Sequence, residues 1–69
     1  MKIGDHVRFR RQSRAWQGHG LEPDAKGYVT EIYGDPDVGE MCLADVMFSG
    51  WPEPERGIRI DELEIVDTG

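Results

Sequence analysis

Met41-Cys-Leu-Ala-Asp-Val-Met-Phe48 has the length and the alternation of a β-strand. Successive side chains of a β-strand point to opposite faces, so Cys42, Ala44, Val46 and Phe48 share one face and Leu43, Asp45 and Met47 share the other. The first set holds Val and Phe and no charge, which assigns it to the core. Leu43 and Met47 are then partly exposed apolar residues on an outer face. Three more stretches have the same character: Ile3-Gly-Asp-His-Val-Arg-Phe9, Lys26-Gly-Tyr-Val-Thr-Glu-Ile32 and Ile58-Arg-Ile-Asp-Glu-Leu-Glu-Ile-Val66. Each is strand-length, rich in β-branched or aromatic residues, and bounded by Gly, Pro or Asp. No window sustains a spacing of three to four, and nine glycines and four prolines are spread through the chain, so a helical reading competes poorly.

Residues 2–10 read as the first strand, with Val7 and Phe9 alternating against His6, Arg8 and Arg10, and with a turn at Gly4-Asp5. Residues 11–25 have no strand pattern and read as a long first loop carrying Trp16, His19, Arg11 and Arg14. Two roles are open for it: a functional loop, or a lid in which Trp16 and Leu21 fold back over one end of the core. The second strand starts near Gly27. Val29 and Ile32 lie three apart, so a β-bulge must separate them if both face inward. The segment from Gly34-Asp-Pro-Asp37 to Glu40 is the strongest turn signal. Residues 49–57, Ser-Gly-Trp-Pro-Glu-Pro-Glu-Arg-Gly, form the next loop. Ile58 and Ile60 form the inward face of a short fourth strand. Asp61-Glu62 reads as one helical turn with Asp61 as its cap. Residues 63–66 make the last strand, and residues 67–69 a frayed tail.

At 69 residues the chain makes one domain. Its stability must come from a single core or from a partner, because Cys42 is the only cysteine and His6, His19 and Cys42 have no metal-ligand spacing. No cofactor is expected. No apolar run approaches the ~20 residues that cross a bilayer, and there is no secretory signal, so a cytoplasmic location without membrane contact is expected. The net charge of -6 is unevenly spread. Up to Gly20 five basic residues face one acid; from Leu21 onward three basic residues face thirteen acids. The acidic majority repels phosphate backbones. The basic edge either meets an acidic partner or neutralises neighbouring acids.

Five short strands, a long first loop and one helical turn before the last strand resemble an SH3-like barrel. Gly4-Asp-His-Val7 with Lys26-Gly-Tyr-Val-Thr-Glu-Ile32 is similar to the KOW-type pattern of ribosomal proteins and transcription elongation factors. Met1-Lys-Ile-Gly-Asp-His-Val-Arg8, Val46-Met-Phe48 and Asp61-Glu-Leu-Glu-Ile-Val66 resemble the variable subunit of ferredoxin–thioredoxin reductase. The first resemblance implies nucleic-acid binding through Arg8, Arg10, Arg11, Arg14 and Lys26. The second implies a small accessory subunit of a redox or metalloenzyme complex. In such accessory families the barrel performs no chemistry; it shields or docks a partner.

No Ser-His-Asp or Cys-His arrangement and no phosphate-binding glycine loop is present, so no residue set supports an enzyme. Cys42, on the predicted core face, reads as a small hydrophobe. Asp35, Asp37 and Glu40 do not have the spacing of a calcium loop and read as solvated turn acids. The aromatic residues carry more information. Trp51 lies in a loop stiffened by Pro52 and Pro54, and a stiffened, exposed Trp is a favoured interface anchor. Trp16 on the other loop, with Tyr28 and Tyr33, would flank the same groove; packing of one or both tryptophans over the core ends is the alternative. The function expected is a non-enzymatic module that docks on a protein partner through Trp16 and Trp51, with Arg10, Arg11 and Arg14 steering an acidic surface.

Overall fold

The computed structural model describes residues 1–39 and 41–66. Five strands account for most of the regular structure: β1 (His6–Phe9), β2 (Lys26–Tyr33), β3 (Leu43–Phe48), β4 (Glu55–Arg59) and β5 (Leu63–Ile65). All neighbours pair antiparallel in one sheet of order β4-β3-β2-β1-β5. The first four strands form a meander, and the chain then returns to lay β5 beside β1. A four-residue helix, α1 (Ala15–Gly18), lies in the long first connection, and 3-10 turns occupy Pro36–Val38 and Ile60–Glu62. Among the described residues no helix is long and apolar enough to cross a membrane.

The inward-facing residues of the strands build the core. Val7, Phe9, Val29, Ala44, Val46, Phe48, Ile58 and Leu63 are all buried, and Phe9 stacks on Phe48 with ring centroids 5.7 Å apart. These positions obey the alternation expected from sequence. The register of β2 against β3 shifts between Val29 and Glu31, which is the bulge required by the Val29–Ile32 spacing. Gly27 allows β2 and β3 to approach: a Cβ there would overlap the Met47 backbone carbonyl.

The long first connection packs on the core. Leu21 is buried, and Ala15, Trp16 and Ala25 are partly buried against the same cluster. The Trp16 indole Nε1–H donates to the Ser13 carbonyl at 3.2 Å, the Ser13 hydroxyl accepts the Ala15 N–H at 3.1 Å, and the Leu21 N–H closes on the Trp16 carbonyl at 2.9 Å. These local bonds fold the segment back on itself. Of its two readings, the lid is the arrangement observed.

Several boundaries differ from the sequence reading. The first strand begins at His6, because Gly4 adopts φ 95° and turns the chain before it. Cys42 lies outside β3 and is half-buried, with its carbonyl accepting the Ile60 N–H at 3.1 Å. The fourth strand starts at Glu55, inside the expected loop, and Ile60 opens the following 3-10 turn. That turn has no side-chain cap; the Asp61 carboxylate instead accepts from the Arg59 guanidinium at 3.0 Å. The expected frayed tail, residues 67–69, lies outside the described residues, as does Glu40.

Candidate functional site

The outer face of the sheet carries the candidate site. β1, β2 and β3 align His6 opposite Tyr28 and Tyr28 opposite Met47, which sets these three side chains in one row across the sheet. The His6 and Tyr28 rings are 6.3 Å apart and tilted by 54°. At the β3 end the chain turns at Gly50, with φ 85°, and the Trp51 N–H donates to the Phe48 carbonyl at 3.1 Å. The turn delivers Trp51 to the end of the row. His6, Tyr28, Met47 and Trp51 thereby line a groove of about 420 Å³. Tyr28 is 44% and Trp51 38% exposed, so large aromatic surface faces solvent here. On its far side Trp51 also borders a second depression with Leu21, Glu22 and Asp24, so the lid forms the opposite bank.

The basic residues gather farther along the same face. His6, Arg8 and Arg10 alternate with the buried Val7 and Phe9, so all three point outward. Arg8, Arg10 and Arg11 line a shallow depression with Gln12 and Glu64. The Arg8 Nε–H donates to Glu64 at 2.9 Å, and the Arg10 Nε–H donates to the Leu63 carbonyl at 3.0 Å. Arg14 is exposed at the start of α1 and does not line that depression.

The aromatic set read from sequence therefore divides. Tyr28 and Trp51 share a groove. Trp16 lines neither depression beside Trp51, because its indole is turned onto the core and held by Ser13. Tyr33 is 46% exposed at the other end of the outer face, and its hydroxyl donates to the Asp45 carboxylate at 2.6 Å. That hydrogen bond, with burial and the negative charges of Asp45 and Glu31, raises the Tyr33 pKa above its ordinary value, against a smaller opposing pull from Arg56.

Asp45 is the residue that alternation misplaced energetically. It does face away from the core, yet it is only 6% exposed. One oxygen accepts from Tyr33 and the other from the Gly57 N–H at 3.1 Å, while the Asp45 carbonyl accepts the Thr30 hydroxyl at 3.3 Å. The register shifts on both flanks of this residue, between Val29 and Glu31 in β2 and opposite the Ala44–Val46 step in β4. Gly57, at φ 71°, turns its N–H out of the ladder, and Asp45 supplies the acceptor the bulge removes. His6 and Met47 are not among the site residues expected from sequence, and Arg8 is expected there only for nucleic-acid binding. Their outward alternation was visible; their alignment with Tyr28 and Trp51 depends on register.

The lid is tied to β4 by a hydrogen bond of 2.9 Å between His19 Nδ1 and the Glu55 carboxylate. No protein-family model matches the chain, and neither a curated protein nor a solved structure is significantly similar to it.

Proposed function

We propose that this chain is an SH3-like barrel acting as a non-enzymatic docking module, and that it engages a protein partner through the groove of Tyr28, Met47 and Trp51. The strand order, the long first connection and the 3-10 turn between β4 and β5 support the barrel reading. The observation that carries the docking reading is the row His6–Tyr28–Met47 ending on Trp51, an apolar and aromatic strip left open on the outer face. Aromatic residues on rigid backbone lose little entropy on binding and bury much area, which suits them as anchors. Arg10 and Arg11, with Arg8 beside them, steer an acidic partner toward the groove.

A photo-crosslinking experiment tests this reading. A benzophenone amino acid replaces Met47 on the groove floor in one protein and the exposed Glu31 in a second. In extract of the source organism, a protein adduct of one defined mass forming from position 47 alone is the expected result. Equal labelling from both positions, or labelling from neither, contradicts docking at the groove.

A further inference from the structure

We infer that Arg8, Arg10 and Arg11 form a carboxylate-binding subsite on the same outer face as the Tyr28–Trp51 groove, and that its occupant is an acidic segment of the docked protein. The identification of the occupant as a polypeptide rests on the docking reading; the arginine arrangement does not.

A guanidinium has five N–H donors, and its terminal pair matches a carboxylate in a two-point contact. Arg8 and Arg10 each use the inner Nε–H within the protein, on Glu64 and on the Leu63 carbonyl. Among the described residues no bond engages the terminal Nη groups of either. The internal bond orients each guanidinium and leaves its fork unspent, so a ligand meets donors that are already positioned. Arg11 lines the same depression of about 280 Å³ and takes part in no ion pair among the described residues. Among the described residues Glu64 is the single carboxylate lining that depression. Lys26, opposite Arg8 in register, lines the groove and adds another positive charge there.

Spacing joins the two. Residues two apart on a strand are about 7 Å apart, so Arg8 and Arg10 lie roughly 7 and 13 Å from His6 along the outer face. An extended partner segment with an apolar side chain on Tyr28 and Trp51 would bring carboxylates onto the arginines two to four residues farther along. A short acidic segment fits better than a long polyanion. From Leu21 onward thirteen acids face three basic residues, and phosphates beyond the subsite would meet that repulsion.

The probes are three: a synthetic peptide with one phenylalanine, two glycines and three glutamates, its analogue with glutamine for glutamate, and a ten-nucleotide oligothymidylate. Binding is followed by amide and arginine Nε–H NMR shifts at low salt. The expected result is that the glutamate peptide moves the Arg8, Arg10 and Arg11 signals and binds about tenfold tighter than its analogue, as expected of several exposed charge pairs together. The double variant Arg8→Gln with Arg11→Gln, checked for unchanged unfolding, should lose most of that preference. Equal affinity for the two peptides, a preference untouched by the double variant, or tighter binding of the oligothymidylate overturns the inference. Trp51→Ala separates the two readings: loss of the phenylalanine contribution with the glutamate preference intact supports the subsite, and an intact phenylalanine contribution contradicts the groove alone.

Discussion

Replacing Asp45 by Ala should be among the most damaging single changes on the outer face. The carboxylate is nearly sealed from water and accepts two hydrogen bonds, from the Tyr33 hydroxyl at 2.6 Å and the Gly57 N–H at 3.1 Å. A hydrogen bond to a charged group contributes roughly 1.5–3 kcal/mol. The Tyr33 hydroxyl reaches water once released, so most of its loss is recovered. The Gly57 N–H sits at a bulge with φ 71° and has no ladder partner to fall back on. Together these place Asp45→Ala at about 2–4 kcal/mol, against a total of ~3–10 kcal/mol for a chain of this size. Asp45→Asn keeps the shape and one acceptor oxygen but turns an NH2 toward the other donor; about half the loss is expected, ~1–2 kcal/mol. Urea unfolding followed by tryptophan fluorescence reads both variants, with the slope checked against wild type. A loss under about 0.5 kcal/mol for Asp45→Ala, the range of an ordinary surface change, would refute the claim that this carboxylate organises the two bulges.

The other predictions concern pH, close approach and the two tryptophans. Folded protein holds the Tyr33 proton more tightly than the unfolded chain does, so the stability it contributes is present below the ordinary pKa of 10.0 and is lost as pH rises beyond it. The urea midpoint should therefore fall in that alkaline range, and Tyr33→Phe should remove this part of the fall; an unchanged alkaline profile in Tyr33→Phe contradicts the Asp45 bond. Gly27→Ala should cost about 1–3 kcal/mol by forcing β2 and β3 apart, and a neutral result in the same unfolding assay would be inconsistent with the Met47 carbonyl's position. Trp16→Ala should destabilise by ~2–3 kcal/mol, below the full core range because the indole is only partly buried, whereas Trp51→Ala should change stability by under about 1 kcal/mol. A reversed order would exchange the roles assigned to the two residues.

The parts of the fold legible in sequence were those set by local period. Alternation placed Val7, Phe9, Ala44, Val46 and Phe48 inward, and the Val29–Ile32 spacing located the bulge without any knowledge of the partner strand. Burial that depends on register was not legible. Asp45 reads as a solvated outer-face acid until Tyr33 is laid diagonally across it from β2 and Gly57 is brought to it by the bulge in β4. Trp16 and Trp51 lie in similar glycine-containing loops. Only the tertiary arrangement separates them: one loop closes on Ser13 and Leu21 over the core, and the other turns at Gly50 and leaves its indole at the edge of the sheet. The arginines were legible as a basic edge, but not which of them share a depression, because Arg8 and Arg10 are oriented by acceptors on β5, more than fifty residues away in sequence.

The most direct test of docking through Trp51 is a paired pull-down from the source organism's extract, with wild type and Trp51→Ala as baits and with bound protein and nucleic acid both identified. Both baits must first show matching unfolding curves. A protein retained by wild type and lost from Trp51→Ala is the predicted result. The same protein retained equally by both baits, or nucleic acid as the shared bound species, would contradict docking at the aromatic groove.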